Sequence, residues 1–375
     1  LRNQIYDDYG SVSFQKVNKM IDCLVFEGDL PQYKGDKKTN KVYLFSSVNS
    51  SLDWIADIKN NVQGTSSQYY PRKNNKFEFI DGITYTETGM KEDSYQVTDD
   101  VLPAAVFCVK TDFAESSGTH NTGVANMIDT MLKEMNILTD AQKANPKVRT
   151  TVAGRPCLLF HKETADSEPV FIGKVNLNTD KAAENTFGFK EGDESWEFLN
   201  NTSDLTLFKT GDMTGWENNI EARYPDGNTD ITNVRKVFEW VHSCKGNVEK
   251  FKSEFSQYFD KDNVVFYALI TLALGMTDQR AKNMFLTRIG NGKWSFIFYD
   301  NDTLIPINNE AVIEFLYNVE IQDTIGNKNV WNGADSELWK LVEEAFADDI
   351  REMYYTMRQR GIFSYDEMVD CLYTR

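Results

Sequence analysis

The chain has 375 residues, 41% hydrophobic and 26% charged, enough for one two-lobed domain or two small ones with a sizeable buried core. Its formal net charge of −17 argues against the basic face that nucleic-acid binding needs and against docking on an anionic membrane. An acidic surface of this kind suits a basic protein partner, and no apolar run is long enough to span a bilayer.

No charged segment followed by an apolar one opens the chain, so no signal peptide is read and a soluble protein is expected. The five cysteines are scattered and none forms Cys-x-x-Cys, which opposes a disulfide framework and a zinc site. His120, His161 and His242 lie far apart, and none is given a role.

Residues 1–20 are polar and aromatic and read as a linker or the end of a preceding element. Apolar and aromatic runs predict strands over 23–26, 41–45, 76–80 and 106–110. A helix is predicted over 121–136, where Val124, Ile128, Met131, Leu132 and Met135 recur at helical spacing and Gly118 and Asn121 supply the entry turn. Two more strands follow over 150–160 and 170–177, giving a mostly antiparallel sheet with one prominent helix. Helices then dominate. They are predicted over 230–241, over 247–259, over 263–274 (apolar almost all round, hence central) and over 336–357, with Ser336 as N-cap and Glu337 in the first turn.

One stretch carries chemistry. After the apolar helix, Gly275 ends the element, and Asp278 and Asn283 follow five positions apart. Met284-Phe285-Leu286 and the run 294–299, joined through Gly290-Asn291-Gly292, predict a hairpin that delivers Asp300. Apolar helix, Asp-x4-Asn, hairpin and Asp is the layout of a protein-kinase catalytic loop and metal-binding segment. Asp278 is then the candidate catalytic base, while Asn283 and Asp300 offer hard oxygens to Mg²⁺ or Mn²⁺. Asp302, two residues on, either joins them as a metal ligand or caps the next turn with Thr303, and Lys282 lies beside the site. Asx turns and helix caps also place Asp and Asn at such positions; the order of the flanking elements is what adds specificity.

Lys110 ends Val106-Phe107-Cys108-Val109-Lys110, like the strand lysine that holds the α- and β-phosphates of ATP. Asp129 and Glu134 are the acids inside the helix that follows, and the sequence does not choose between them as the partner of this lysine. The stretch 63–73 sets small hydroxyl residues before Arg72 and Lys73, which could cradle phosphate, although an exposed polar loop has the same composition. Asn200-Asn201-Thr202-Ser203 matches a glycosylation acceptor and is read as loop chemistry. Together these elements predict an α+β, two-lobed atypical protein-kinase-like fold. Its β-rich N-lobe would span 21–180 and its helical C-lobe 181–375, joined near 170–190, with ATP in the cleft.

Three segments resemble the spore coat protein H (CotH) family of atypical kinases. Gln63-Gly64-Thr65-Ser66-Ser67 with Pro71-Arg72-Lys73 and the strand from Lys76 looks like its N-terminal signature. Val109-Lys110-Thr111-Asp112 followed by Asn121 is similar to its strand lysine and next helix, and Asp278 through Asn283 to Tyr299-Asp300-Asn301-Asp302 to its catalytic and metal segment. The resemblance implies Mg²⁺- or Mn²⁺-ATP-dependent phosphorylation of Ser-rich, often Lys-rich proteins. Lys110 would hold ATP, Asp278 would be catalytic, and Asn283 and Asp300 would bind metal. The stretch 171–181 departs from the family's Gly-x-Tyr-x-x-x-Glu, since no Glu is in place. That stretch, with Thr186-Phe187-Gly188-Phe189 and Trp196-Glu197, looks more like divergent modules of large bacteriophage virion proteins. The expected function is phosphoryl transfer to Ser or Thr of a protein. The rival is a catalytically silent CotH-like module of a phage tail, virion or surface assembly, and an adhesion module comes third.

Overall fold

The computed structural model describes residues 21–64, 67–113, 117–181, 184–200, 203–276, 278–290, 292–304, 307 and 336–374. The expected linker over 1–20, and Thr65 and Ser66 of the phosphate-loop candidate, lie outside the described residues. The described residues fall into two compact units, drawn from Leu1–Gly118 with Ala153–Thr186 and from Thr119–Val152 with Phe187–Arg375. The units interleave along the chain, whereas the expected lobes were contiguous.

The first unit is built from β1 (Asp22–Glu27), β2 (Lys37–Phe45), β3 (Trp54–Gln63), β4 (Asn74–Phe79), β5 (Ile83–Tyr85), β6 (Lys91–Glu92), β7 (Val106–Lys110), β8 (Gly154–Lys162) and β9 (Val170–Thr179). The order β2-β1-β8-β9-β7-β4-β3, with β3 also pairing β2, closes seven strands into a ring, and β5 and β6 extend from β3. Closure leaves no unpaired edge within the ring. Every neighbour pair is antiparallel except β1–β8, which is parallel. The mostly antiparallel sheet expected from the sequence is thus present, and it closes on itself.

Period-two alternation fills its interior: Leu24 and Phe26, Val42 and Leu44, Trp54 and Ile58, Phe77 and Phe79, Phe107 and Val109, and Val175 and Leu177 are buried together. Each such side chain contributes about 2 kcal/mol of burial. Strand β3 was not anticipated, because its inward row also carries Ala56 and Asn60. Asn60 is almost fully buried, donates to Asn40 Oδ1 at 3.0 Å and accepts from Asn75 Nδ2 at 3.3 Å. A polar side chain inside the apolar row hides the alternation, and hydrogen bonding is what makes its burial tolerable.

In the second unit the described helices are α1 (His120–Glu134), α2 (Asp140–Ala144), α3 (Ser203–Thr210), α4 (Thr232–Ser243), α5 (Val248–Tyr258), α6 (Lys261–Ala273), α7 (Glu337–Gln359) and α8 (Tyr365–Val369). The five helices predicted from periodicity (α1, α4, α5, α6 and α7) all form, within two residues of the expected ends. Helix α1, read from the sequence as part of 21–180, sets Val124, Met127, Ile128, Met131 and Leu132 into the core of this unit. A four-stranded sheet of order β11-β10-β12-β13 accompanies the helices, with β10 (Glu194–Phe198), β11 (Ile220–Tyr224), β12 (Phe285–Arg288) and β13 (Trp294–Ile297). The predicted hairpin is β12–β13, antiparallel with Phe285 opposite Ile297. Strands β10 and β11 were missed, because β10 carries buried Glu194 and Glu197. Glu194 accepts from Arg288 and Asn233, each at 2.6 Å, and Glu197 is paired with Arg223.

Helix α6 is buried along Asn263 to Thr271, as its all-round apolar sequence predicts. Asp260 caps its start by accepting the Asn263 N–H at 3.2 Å, and Ser336 caps α7 by accepting the Trp339 N–H at 3.3 Å. Among the described residues, no helix is long and apolar enough to cross a membrane.

None of the five cysteines forms a disulfide, and all are buried. Native protein should therefore resist iodoacetamide over minutes, and denaturant should expose all five thiols to it. Rapid modification of any cysteine in native protein, read by mass spectrometry, would contradict this burial.

Candidate active site

The candidate catalytic loop hangs from the end of α6. Gly275, at φ +60°, lets the chain turn left-handed, so that the Met276 N–H reaches back to the Thr271 carbonyl at 2.9 Å and the Gly275 N–H to that of Leu272 at 3.1 Å. This helix stop, read from the sequence, releases the chain toward Asp278. The Asp278 carbonyl then accepts the N–H groups of Ala281 at 2.9 Å and Lys282 at 2.8 Å, winding the loop into a single turn. Asn283 leaves it at φ +53°, and its Nδ2 donates to Asp278 Oδ2 at 3.4 Å. The two candidate residues therefore meet across the turn. With Nδ2 facing the carboxylate, the amide oxygen of Asn283 is turned away from Asp278.

Two residues between them anchor the loop. Gln279 is fully buried, and its Nε2 donates to the carbonyls of Asp300 at 2.9 Å and Tyr299 at 3.3 Å. That amide joins the Asp278 turn to the backbone of the second candidate segment. Asp300 itself sits at φ +55°. The Gln279 carbonyl accepts from the Tyr267 hydroxyl at 2.5 Å, and burial pushes that phenol far above its ordinary range, so it stays a donor.

Arg280 points the other way, into the helical core. Its Nε donates to Thr271 Oγ1 at 2.8 Å, its Nη2 to the Ala268 carbonyl at 2.7 Å, and its Nη1 pairs with Glu343 at 2.6 Å. Trp339 stacks under the guanidinium at 5.2 Å and donates its indole N–H to the Arg280 carbonyl at 2.9 Å. Neither Gln279 nor Arg280 was singled out from the sequence, since both read as polar loop residues. The one available signal was their place inside Asp-x4-Asn.

On the far side of the site, the Asn301 N–H donates to Asn121 Oδ1 at 3.0 Å. The Asp302 carbonyl faces His120 Nδ1 at 3.5 Å, so the Asp300–Asp302 segment touches the start of α1. Asp129, one of the two acids left open as a lysine partner, is held in its own unit by Lys133 at 2.7 Å and Arg149 at 3.7 Å. Glu134 is exposed.

The remaining candidates belong to the first unit. Lys110 is buried at the end of β7, directly opposite Asn176 of β9, and Cys108 is opposite Asn178 on the same face. The Cys108 thiol donates to Asp180 Oδ2 at 3.0 Å, and Lys76 Nζ pairs with Asp180 Oδ1 at 2.8 Å. Burial, and then the Asp180 carboxylate, push this thiol well above its ordinary value. Asn176 and Asn178 each bury a side-chain oxygen that has no hydrogen-bond partner. Arg72 donates to the carbonyls of Lys174 and Thr111, each at 3.5 Å, and Lys73 to those of Gln68 at 2.9 Å and Tyr70 at 3.5 Å. Both cations are thus spent, at least in part, on holding the loop between β3 and β4.

Replacing Arg280 with Met keeps the stem but removes its buried donors, and is expected to cost about 3 kcal/mol. A thermal melt should show a clear drop in Tm. A melt matching that of the unaltered protein would rule out the anchoring role.

Residues 178–370, just over half of the chain, match the family described as CotH kinase protein. The match includes Asp278, Asn283, Asp300 and Asp302, and begins beyond Arg72, Lys73 and Lys110. No curated protein matches the chain. With a β-rich first part, helices later and this family match across the loop just described, the chain belongs to the CotH kinase family.

Proposed function

We propose that the protein is a phosphoryl-transfer enzyme of the kinase type, using Mg²⁺- or Mn²⁺-ATP to modify Ser or Thr of a basic protein. The observation that carries this reading is the Asp278–Asn283 contact at 3.4 Å on a loop pinned to the Asp300 segment by Gln279. Asn283 and Asp300 both hold left-handed backbone, a conformation that costs non-glycine residues about 1 kcal/mol or more and clusters at functional sites.

The donor chemistry fits a hard cation. Asn283 would offer its amide oxygen, and Asp300 and Asp302 their carboxylates. When bound, Mg²⁺ or Mn²⁺ would neutralise phosphate charge as it develops. Asp278 would accept the proton of the incoming Ser or Thr hydroxyl and orient its oxygen. The Asn283 amide, by donating to Asp278 Oδ2, steers that carboxylate. In the first unit Lys110 is the proposed phosphate-binding cation. The unpaired buried oxygens of Asn176 and Asn178 on the same face fit a ligand that brings N–H or O–H donors.

The silent-module reading is favoured by one observation, the engagement of Arg72 and Lys73 with backbone carbonyls, which leaves less of the phosphate-loop candidate for a ligand. Mn-ATP decides between the two. At a hundred times its Kd it should stabilise the protein by about 2.7 kcal/mol. The rise in Tm should vanish in Asp300→Ala and Lys110→Met. Asp278→Ala should keep that rise while losing roughly 10²–10⁴-fold in ³²P transfer to a Ser- and Lys-rich acceptor. No rise with the unaltered protein, or full transfer by Asp278→Ala, overturns the proposal.

A further inference from the structure

We infer that Asn121, at the start of α1, is a positioning residue for the cation: it clamps the Asp300–Asp302 segment in its metal-accepting form. The inference rests on the reading above and extends it to a residue some 180 positions away in sequence.

Four observations support it. Asn121 is 1% exposed, and its Oδ1 accepts the Asn301 N–H at 3.0 Å. The neighbouring His120 ring nitrogen faces the Asp302 carbonyl at 3.5 Å, so α1 meets the segment at two successive residues. Asp300 is held at φ +55°, which an aspartate leaves readily unless its surroundings hold it there. Finally, the Asn301 side chain is fully buried, and neither its Oδ1 nor its Nδ2 has a hydrogen-bond partner. Asn301 is therefore held by its backbone N–H rather than by its side chain.

The Gln279 amide grips the Asp300 carbonyl from one side, and the Asn121 amide grips the next N–H from the other. Between these two bonds the peptide joining Asp300 to Asn301 has little freedom to rotate, and the left-handed Asp300 is preserved. Without the acceptor on Asn121, a buried N–H would be orphaned and the segment would relax toward ordinary backbone. A cation would then bind only the fraction of molecules that still present Asp300 correctly, and its apparent affinity would fall by that fraction.

Two readouts on the full chain test this, neither of them activity. Hydrogen–deuterium exchange of a peptide containing Asn301 reports on the clamp without any metal. Mn²⁺ titration followed by electron paramagnetic resonance reports on its consequence. Asn121→Ala should speed exchange in that peptide and weaken Mn²⁺ binding roughly tenfold, the change that about 1.4 kcal/mol of a lost buried hydrogen bond brings. Asn121→Asp keeps an acceptor oxygen and suits the first turn of a helix, so it should restore both values. A merely structural role would lower Tm in Asn121→Ala without separating it from Asn121→Asp in Mn²⁺ affinity. Unchanged exchange and Mn²⁺ affinity in Asn121→Ala, with the unaltered protein binding Mn²⁺ and Asp300→Ala not, overturn the clamp alone. Failure of the unaltered protein to bind Mn²⁺ overturns the proposed function and this inference together.

Discussion

The candidate site depends on two buried side chains that point in opposite directions from adjacent positions. Arg280 drives its guanidinium into the floor made by α6 and α7, while Gln279 reaches across to the Asp300 backbone. A loop of six residues has too few internal hydrogen bonds to hold a geometry against its own conformational entropy. These anchors replace that deficit with contacts to rigid elements. Asp278 and Asn283 then face each other because the two residues after Asp278 have no freedom to turn elsewhere. Trp339 completes the arrangement by donating to the Arg280 carbonyl and lying against its cationic face. The Tyr267 ring that stacks on Trp339 also carries the hydroxyl that holds the Gln279 carbonyl.

The first unit solves a different problem. Seven strands joined in a ring bury a single apolar interior and leave no unpaired edge among themselves. Alternation sends Phe107 and Val109 inward, which forces Cys108 and Lys110 to the opposite face. That face is polar yet buried. It gathers Asp180, Asn176 and Asn178, with the half-buried Lys76 at its edge and two amide oxygens that lack partners. Buried polar groups of this kind are costly to the fold, and proteins tend to keep them where a ligand or water completes the bonding.

Much of the second unit was legible from periodicity alone. Helices announce themselves by a spacing that burial imposes, and signals such as Ser336 and Gly275 mark their ends through local chemistry. The hairpin carrying Asp300 was equally visible, because two short apolar runs around paired glycines admit few alternatives. Strands β3, β10 and β11 were not legible. While β11 is only five residues long and buries just Ile220 and Ala222, strand β3 sets Asn60, and β10 sets Glu194 and Glu197, where apolar residues would reveal a face. Their partners come from distant segments, so the compensation that makes such burial tolerable cannot be read locally.

By itself the sequence determined which residues are candidates for the chemistry, the order of the elements that carry them, and the family likeness of the 278–302 segment. These are properties of spacing and side-chain type, which act over a few residues. Only the tertiary structure decided that the strands close into a ring and that Arg280 and Gln279 are inside. It also decided that Asp129 is held by Lys133 and Arg149, and that Asn121 rests on the Asp300–Asp302 segment. Apart from the Asp129–Lys133 pair, one helical turn apart, each of those outcomes is a hydrogen bond, an ion pair or a strand pairing between residues well separated in the chain. Which distant partner a buried polar group finds is set by the whole packing arrangement, and no local pattern encodes it.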